Sequence, residues 1–513
     1  MTVTEKMSRE RVEGYLSARD GKMYNGRGEE ILLCGMGLGN WLLPEGYMWK
    51  FGGRYDRPRT IEALVRELCG SAYADYFWKR FREEYITESD VRAMAESGFN
   101  SVRLPVNWRV VMEDEPGIHW KEDGFRIIDR FVDLCEKYRL YVCLDLHGAP
   151  GGQTGHNIDD SVDDIPRLLT DTASDSREKT IALWCEFARR YRDRWIVGMY
   201  DLLNEPARSP KPGTPELDHP ALRESLTRFY RDCIAAIRKI DSVHMISVES
   251  DVWASRADFF AEKFDDNMCA HFHRYWCQPR RFMYDEFTAK RDELNMTLYL
   301  GETGENTAQW FAAMYPLAAE LDIGYNIWPW KKMATASSPC SVRMPEFWQK
   351  IIDYTRGGDR PSYETAQTAF DEYLENIRFE NCDFVENVIP SIFRRPGCSF
   401  RACDFRGANE QVRWVDGNGD DCSDWSKTLT EFTGGGAAEY TLYSDGENGV
   451  IEFSSDFDRA AIEISVDGET LLRTTVSGKR DLSVPVNAGH DCTLGLTCVK
   501  GSFTISEIAW KKG

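Results

Sequence analysis

The chain has 513 residues, more than one hydrophobic core usually holds, and at roughly 100 to 250 residues per domain this length predicts two or three units. Its 84 Asp and Glu residues outnumber 63 Lys and Arg residues, which gives a formal net charge of -21. Because a negative surface field repels polyanions, nucleic acid, anionic membranes and acidic polysaccharides are not expected partners.

The N-terminal segment MTVTEKMSRERVEGYLSARDG has no apolar stretch of the kind found in signal peptides, and no apolar run approaches the roughly 20 residues of a membrane span. The sequence as written therefore predicts a cytoplasmic protein, or a secreted one if a signal peptide has been removed. The 15 cysteines include no closely spaced pairs; the nearest two are Cys398 and Cys403. This spacing predicts reduced thiols rather than a zinc site or a disulfide framework, and we expect no cofactor.

Short β-rich runs alternate with amphipathic helical stretches from about residue 30 to 355. Such alternation predicts a parallel sheet, and eight strand–helix units predict a closed (β/α)8 barrel of the TIM type in the α/β class. Helices are expected at 125–138, 177–191, 222–240, 307–321 and 363–377. The predicted strands are 31–36, 101–104, 141–146, 197–203, 244–248, 268–273, 297–301 and 325–328.

The two ends of the chain have different patterns. Asp20-Gly21 and Asn25-Gly26 predict hairpin turns at the bottom of the barrel. From about residue 380 polar and apolar residues alternate with period two, which predicts an antiparallel β-sandwich. We therefore predict two domains: 1–379, the catalytic barrel with its N-terminal hairpin, and 380–513, a sandwich that either binds carbohydrate or braces the barrel. Trp414, Trp425 and Trp510 are expected in its core, or on a carbohydrate-binding face.

Polar residues at the ends of the predicted strands are the candidate functional residues, because barrel enzymes place their active sites there. Hydrolysis of a glycosidic bond with retention needs two carboxyl groups about 5 to 5.5 Å apart. Glu205, after the fourth strand, and Glu302, on the seventh, are such a pair, and we predict the roles of acid/base and nucleophile for them. Glu305 is an alternative active carboxylate. The acid must hold its proton near neutral pH and the nucleophile must be ionised, so the two need different surroundings.

Other strand-end residues suit supporting roles. Arg103 and Tyr275 are predicted to hydrogen-bond the nucleophile and keep it charged, and Asn204 is predicted to bind the sugar 2-OH. His147 and His273 are predicted to bind other sugar hydroxyls or Glu205. The His271-x-His273 pair has no evident third ligand in the sequence, so no metal site is predicted.

Most of the first 340 residues also resemble glycoside hydrolase family 5. The resemblance rests on LLNEP at 202–206 and LGETGE at 300–305, and the exo-β-1,3-glucanase-like branch is similar in four further segments. It implies Glu205 as acid/base and Glu302 as nucleophile. It also implies that Glu45 binds sugar in the glycone site, that Trp330 is the platform beneath the ring, and that His273 and Tyr275 form the family's His-x-Tyr pair. The four segments are GLGNWLLPEGYMW (37–49), GFNSVRLPVNW (98–108), LDLHGAPGGQ (144–153) and IWPWKK (327–332).

Two departures from that branch bear on the substrate. Lys332-Met333-Ala334 stands near the end of the eighth strand where the branch usually has Thr-Glu-Asn, and Thr154 stands where Asn is frequent. We predict an exo-acting retaining hydrolase of β-glucan-type oligosaccharides or β-glycosides, with a carbohydrate substrate as its partner and no prediction of oligomeric state. The alternatives are an endo-acting β-1,4-glucanase or β-mannanase, an exo-glycosidase for mannosides or arabinofuranosides, and a non-catalytic sugar-binding protein.

Overall fold

The computed structural model describes residues 1–208, 219–444 and 446–513. Before the barrel lie helix α1 (Val3–Met7) and a hairpin of β1 (Ser17–Arg19) and β2 (Lys22–Tyr24). Asp20 and Gly21 join the two strands with φ angles of 52° and 70°, the left-handed conformation that a two-residue hairpin turn requires. The hairpin packs at the N-terminal end of the barrel, where the Thr297 hydroxyl donates a hydrogen bond to the Lys22 carbonyl.

Eight parallel strands close into a barrel, so that the predicted fold is confirmed. All eight are buried along their whole length on both faces, as expected when helices cover the outside of a sheet whose inner face is filled with side chains. The strands, in chain order and numbered after the hairpin, are β3 (Cys34–Gly37), β4 (Ser101–Asn107), β5 (Tyr141–Gly148), β6 (Val197–Asp201), β7 (Met245–Glu249), β8 (Met268–His273), β9 (Thr297–Gly304) and β10 (Gly324–Trp328).

The helices around the barrel are amphipathic where the sequence predicts them. In α6, for example, Phe125, Ile128, Val132 and Cys135 fall on one face and are fully buried. The helix ends at Arg139, which takes a left-handed conformation with φ 58°. The helices are α2 (Pro58–Cys69), α3 (Ser71–Glu84), α4 (Glu88–Glu96), α5 (Trp108–Val111), α6 (Glu122–Tyr138), α7 (Arg167–Thr170), α8 (Ser176–Tyr191), α9 (His219–Arg238), α10 (Asp251–Ala254), α11 (Asp285–Leu294), α12 (Ala308–Glu320), α13 (Trp348–Thr355) and α14 (Tyr363–Asn376).

After the barrel the chain forms a small sheet, a short helix and then one antiparallel sheet of nine strands, where the sequence predicts an antiparallel β-sandwich. The long strands β19 and β20 pair along most of their length, and Asp467-Gly468 makes the turn between them. The elements are β11 (Lys331–Met333), β12 (Cys340–Val342), β13 (Asp383–Phe384), α15 (Val388–Phe393), β14 (Cys398–Arg401), β15 (Gly407–Ala408), β16 (Val412–Val415), β17 (Leu429–Thr433), β18 (Ala437–Leu442), β19 (Asn448–Val466), β20 (Glu469–Asn487), β21 (Cys492–Ile505) and β22 (Glu507–Lys512). No described helix combines the length and the apolarity that a membrane span requires.

The hydrophobic cores of the barrel and of the C-terminal β-structure interlock. Ala312, on barrel helix α12, belongs to the C-terminal core, whereas Cys403 and Trp425 belong to the barrel core. Helix α15 also packs on the barrel, with the rings of Phe393 and Phe99 5.1 Å apart. We therefore propose that the barrel unit extends through Phe393, beyond the predicted boundary at 379, and that the C-terminal part acts as a brace.

The three C-terminal tryptophans fit a brace better than a carbohydrate-binding face. Trp510 is fully buried and Trp425 is 8% exposed. Trp414 is half-buried, and the guanidinium of Arg280 lies 3.7 Å from the centre of its ring. A sugar cannot stack on a ring face that a barrel side chain already covers.

We expect Trp425→Ala to lower the free energy of unfolding by about 3 kcal/mol, because it removes a large side chain that the C-terminal part contributes to the barrel core. Thermal and urea unfolding measure the change. The matched control is Trp276→Ala, since Trp276 is 80% exposed and its loss should change stability by no more than about 0.5 kcal/mol. Equal stabilities for Trp425→Ala and the wild-type protein would contradict the bracing role.

Candidate active site

The two predicted catalytic carboxylates face each other across the barrel mouth. Glu205 follows β6 and Glu302 lies on β9, and one oxygen of each lies within 4.8 Å of the other and of a ring nitrogen of His273. A register shift between β8 and β9 pairs His273 directly with Glu302. The separation suits a nucleophile and an acid/base that act on one glycosidic bond with retention.

Glu302 is held as an anion. Arg103 Nη1 donates a hydrogen bond of 2.6 Å to its Oε2, and the Tyr275 hydroxyl donates one of 2.8 Å to its Oε1. Burial alone would raise the pKa of Glu302, but the charges of His273 and Arg103 outweigh it and hold the pKa below its usual value. A carboxylate that stays ionised and carries two donors is suited to nucleophilic attack.

The predicted partners of Glu302 are therefore in contact with it, and Arg103 does more than the sequence indicates. Its fully buried guanidinium also donates to Asp201 Oδ2 at 3.0 Å and to Glu249 Oε1 at 2.8 Å, and it lies 3.1 Å from Asp145 Oδ2. Four carboxylates thus surround one cation, which compensates charges that would be very costly to bury alone.

Asp145, Asp201 and Glu249 were missed by the sequence analysis. Asp145 lies two residues before His147, Asp201 ends β6 and Glu249 ends β7, so a search of every strand end for acidic residues would have found them.

Glu205 is held by its backbone as well as its side chain. Its φ is +43°, a left-handed conformation that is rare for residues with a Cβ. Its N–H donates to Glu249 Oε2 at 2.6 Å, and its carbonyl accepts from the Thr154 hydroxyl at 2.6 Å. The Oε1 atom lies 2.7 Å from His273 Nδ1. Contacts from three sides therefore maintain an unfavourable backbone and fix where the carboxyl group points.

His273, predicted to bind sugar hydroxyls or Glu205, lies close to both acids, with its Nδ1 2.7 Å from Glu205 Oε1 and 4.0 Å from Glu302 Oε1. Burial alone would lower its pKa, but the charges of Glu249 and Glu302, with the hydrogen bond to Glu205, raise it well above the usual value. Its Nε2 lies 3.1 Å from Nε2 of His271, which the sequence left without a role. His271 Nδ1 in turn lies 3.1 Å from Asp201 Oδ1, so His271 links His273 to the acids below the site.

A third ligand atom does reach the two histidines, contrary to the expectation from sequence, because the fold brings Glu249 beside them within 4.8 Å. Glu249 is already hydrogen-bonded to Arg103 and to the backbone of Glu205. A divalent cation there would lie beside the Arg103 guanidinium. The hydrogen bonds of Glu249 to Arg103 and to the backbone of Glu205 explain why Glu249 lies close to the two histidines.

His147 and Asn204 lie together on the other side of the pair. His147 Nδ1 is 2.6 Å from Asp145 Oδ2, and Asn204 Nδ2 donates to His147 Nε2 at 3.2 Å. Asn204 Oδ1 accepts from Arg103 at 2.8 Å, which fixes the amide orientation. Burial and the charge of Arg103 lower the pKa of His147 to about 3, so its imidazole is neutral.

The prediction that Trp330 is the platform needs correction. Trp330 is fully buried, its Nε1 donates to Asp90 at 2.9 Å, and its ring packs parallel to Phe379 on the outer side of the strand. Trp328 lies at the site instead, with its ring parallel to that of His147 at 5.3 Å. Residues two apart in a regular strand point to the same face, so the two indoles diverge because β10 ends at Trp328 and the backbone leaves the strand direction before Trp330.

Glu45 lies beside the pair with an unsatisfied oxygen. It is 2% exposed, and its Oε1 has no hydrogen-bond partner among the described residues. Burial first, and then the charges of Glu302, Glu305 and Glu205, raise its pKa well above the usual value. Glu305, the alternative active carboxylate, instead forms an ion pair with Lys332.

Comparison with known proteins agrees with the barrel fold. The family model described as "Cellulase (glycosyl hydrolase family 5)" matches residues 67–334, more than half of the chain. The chain therefore belongs to glycosyl hydrolase family 5.

Among its relatives is a β-xylosidase of Phanerodontia chrysosporium, 32% identical over 264 residues, which are 51% of this chain and 52% of that protein. Endoglucanase C of Acetivibrio thermocellus is 28% identical over 204 residues, 39% of this chain and 53% of that protein. The chain spans about half the length of these curated relatives. The chain also shares the fold of an endogalactoceramidase crystal structure, with 16% sequence identity and a TM-score of 0.51. The matched region covers 96% of this chain and 99% of the endogalactoceramidase chain.

We expect Arg103→Met to destabilise the protein by roughly 3 to 5 kcal/mol at neutral pH, because buried carboxylates lose their cation. The pKa of Glu302 is lowered in the folded protein, so its contribution to stability is present above the unfolded-state pKa and is lost as the pH falls through the folded-state pKa. The difference in Tm between the wild-type protein and Arg103→Met should therefore be larger at pH 7 than at pH 4.

Arg103→Lys is the matched control for this prediction. It keeps a positive charge but loses the fork of donors, so it should retain part of the pH-dependent stability. A difference in Tm that is the same at pH 4 and pH 7 for Arg103→Met would contradict the charge-compensating role of Arg103.

Proposed function

We propose that the protein is a retaining β-glycoside hydrolase in which Glu302 is the nucleophile and Glu205 the acid/base. The observation that carries this proposal is the separation of at most 4.8 Å between their carboxylate oxygens. Their surroundings support the assignment, because Arg103 and Tyr275 both donate to Glu302, whereas within residues 1–208, 219–444 and 446–513 the Glu205 carboxylate hydrogen-bonds to His273 alone.

In the first step a Glu302 oxygen attacks the anomeric carbon of the substrate. The bond from this carbon to the leaving oxygen breaks as Glu205 transfers its proton to that oxygen, and a covalent glycosyl–enzyme forms. Bond formation neutralises Glu302. The left-handed backbone and the Glu249 contact hold Glu205 in position for the proton transfer.

In the second step water replaces the leaving group. Glu205, now a carboxylate, removes a proton from the water as its oxygen attacks the anomeric carbon, and the bond to Glu302 breaks. Two inversions leave the anomeric configuration unchanged. Glu302 returns to the anion that Arg103 and Tyr275 stabilise, and Glu205 regains its proton.

The side chains beside the pair suit the glycone. Asn204 would bind the sugar 2-OH, and neutral His147 would bind another sugar hydroxyl. A sugar hydroxyl would satisfy the orphaned Oε1 of Glu45. Trp328, which replaces Trp330 in this role, donates through Nε1 to the Tyr47 hydroxyl at 2.9 Å, so its ring is fixed at the edge of the site.

Burial of the site favours exo action. Glu45, His147 and Trp328 are each at most 3% exposed, and Glu302 is 6% exposed. An endo-acting enzyme needs an open cleft that accepts a chain on both sides, whereas the low exposure of these side chains is what a closed pocket for a terminal sugar would give. The similarity to a β-xylosidase fits release of terminal sugars from β-glycosides or β-glucan-type oligosaccharides. Endo action is the second candidate because endoglucanase C is also a relative.

Replacement of each carboxylate tests the two assignments. We expect Glu302→Gly and Glu205→Ala each to lose about 10³-fold or more of kcat with aryl β-glycosides. Azide should rescue Glu302→Gly by forming the α-glycosyl azide, since it attacks once from the side of the missing nucleophile. With Glu205→Ala it should form the β-glycosyl azide, since it replaces water in the second step.

The matched control is Glu305→Gly, which removes the alternative carboxylate and should yield no azide product. Product stereochemistry by NMR and trapping with a 2-deoxy-2-fluoro glycoside give independent readouts. A covalent adduct on a residue other than Glu302 would overturn the nucleophile assignment.

Product analysis decides between exo and endo action. With β-glucan oligosaccharides and a panel of gluco, xylo, manno and galacto glycosides, we expect monosaccharide from the first turnover and a slow fall in polymer viscosity. A rapid fall in viscosity, with longer oligosaccharides as first products, would contradict exo action.

A further inference from the structure

His271 is a buried histidine that the two chemical steps leave unused. It lies two residues before His273 on β8, so both rings are on the same face of the strand. Its Nε2 is 3.1 Å from Nε2 of His273, whose Nδ1 contacts the acid/base Glu205. Because His271 is fully buried, it can act on the reaction only through its neighbours.

The strand that carries the nucleophile leaves space for the ring of His271. Gly301, the residue before Glu302, lies against this ring, and a Cβ on Gly301 would come within 1.8 Å of Nε2. Any larger residue at this position would displace the imidazole. The ring of Tyr299, on the same strand, packs edge to face against His271, with 5.2 Å between the ring centres. These contacts hold the His271 ring in one orientation.

Two oxygen atoms define the proton on the far side of this ring. Nδ1 of His271 lies 3.1 Å from Asp201 Oδ1 and 2.9 Å from Ser247 Oγ. The Ser247 hydroxyl donates its own proton to the same Asp201 oxygen at 2.9 Å, so its oxygen faces the histidine as an acceptor. Nδ1 of His271 therefore carries a proton and donates it to these two oxygens.

A single proton lies between the two histidines. Two N–H groups cannot point at each other across the 3.1 Å between the Nε2 atoms, and two bare nitrogens would bury unpaired lone pairs. The four ring nitrogens of His271 and His273 therefore hold at most three protons and one positive charge.

The surrounding charges favour this positive charge on His273. His271 faces Asp201 at 3.1 Å and Glu249 at 3.5 Å, but Arg103 already pairs with both of these carboxylates. His273 faces three carboxylates, which are Glu205 at 2.7 Å, Glu249 at 3.4 Å and Glu302 at 4.0 Å. The shared proton therefore belongs to Nε2 of His273, and the bare Nε2 of His271 accepts it.

A doubly protonated His273 fixes the position of the acidic proton on Glu205. Its Nδ1 donates to Glu205 Oε1 at 2.7 Å, so that this oxygen is occupied as an acceptor. The acidic proton of Glu205 is then confined to Oε2, the oxygen that remains for the substrate. His273 keeps both of its protons in this buried site only while an acceptor faces its Nε2.

We propose that His271 is a positioning residue, whose bare Nε2 accepts one ring proton of His273 so that the other is always donated to Glu205 Oε1. The inference rests on the proposed function and adds a residue to its proton-transfer step. His271 touches neither the substrate nor the reacting atoms, and it acts through His273 alone.

The first test is the pH dependence of kcat/KM with an aryl β-glycoside for His271→Asn. Asparagine can still donate to the acceptors of Nδ1, but it is too short to accept from His273. Burial raises the pKa of Glu302, and the charges of His273 and Arg103 hold it below its usual value, so a weaker charge on His273 raises it. The low-pH limb reports ionisation of Glu302, and we expect it to move up by roughly 0.5 to 1 pH unit.

Two further variants sharpen this test. His271→Gln is the conservative one, since its longer side chain can bring an amide oxygen to the position of Nε2, and its low-pH limb should stay close to that of the wild-type enzyme. His244→Asn is the matched control. His244 is equally buried and lies 2.6 Å from Asp241, but it precedes β7 at the opposite end of the barrel, so its loss should leave the limb unmoved.

Nitrogen-15 NMR of the histidine-labelled protein without substrate measures the same protons and does not depend on catalysis. At pH 7 we expect His273 with protons on both ring nitrogens and His271 with a proton on Nδ1 only. In His271→Asn the doubly protonated population of His273 should fall. If this variant does not fold, the wild-type spectrum decides alone.

Three outcomes overturn the inference. These are a singly protonated His273 in the wild-type spectrum, an equal shift of the low-pH limb for His271→Asn and His271→Gln, and an unmoved limb for His271→Asn, which would mean that His271 only packs. Failure of the proposed function is seen separately, since the wild-type enzyme would then hydrolyse no glycoside while the NMR spectrum still reports the protonation of His273.

Discussion

The buried cation of Arg103 is the constraint on which the site depends. One guanidinium contacts or closely approaches Asp145, Asp201, Glu249 and Glu302 at the C-terminal ends of strands β5, β6, β7 and β9. Without it, several carboxylates would face one another in a region of low dielectric, which is far more costly than burial of paired charges. Arginine suits this position because its planar fork offers five donors and keeps its charge when buried.

The same network makes the two central carboxylates unequal. Glu302 takes two direct donors and stays ionised, whereas Glu205 takes its fixed geometry from Glu249, Thr154 and His273. Glu249 connects the two halves, since one oxygen accepts from Arg103 and the other from the backbone of Glu205. A displacement of the Glu249 carboxylate would change the charge balance around Arg103 and would also shift Glu205, the proton donor.

The C-terminal part reaches the same site through the loop after β8. Gln278 and Arg280 of that loop contact Trp425 and Trp414, and Tyr275 at the start of the loop contacts Glu302. Because packed interiors deform little, a displacement in one of the two interlocked cores would also displace the residues of the other core that contact it. We therefore propose that the C-terminal part stabilises this active-site loop.

The barrel architecture and the candidate residues of the site could be predicted from the sequence. The alternation of strand and helix periodicity predicts the barrel. The ends of the predicted strands identify the candidates Arg103, Glu205, His273 and Glu302, because parallel strands in a barrel all end at one rim. Local patterns sufficed since periodicity and strand polarity are properties of short segments.

How those segments meet depends on tertiary contacts between distant parts of the chain. Trp328 and Trp330 are equivalent in sequence, and the backbone path after β10 turns one toward His147 and the other toward Asp90. The role of Glu249 depends on contacts with Arg103 and Glu205 from distant strands. The position of Ala312, a residue of a barrel helix, in the C-terminal core depends on the packing of the two units. These features could not be predicted because strand register and side-chain direction are set by neighbours far along the chain. A shift of one residue in register turns a side chain to the opposite face of a sheet.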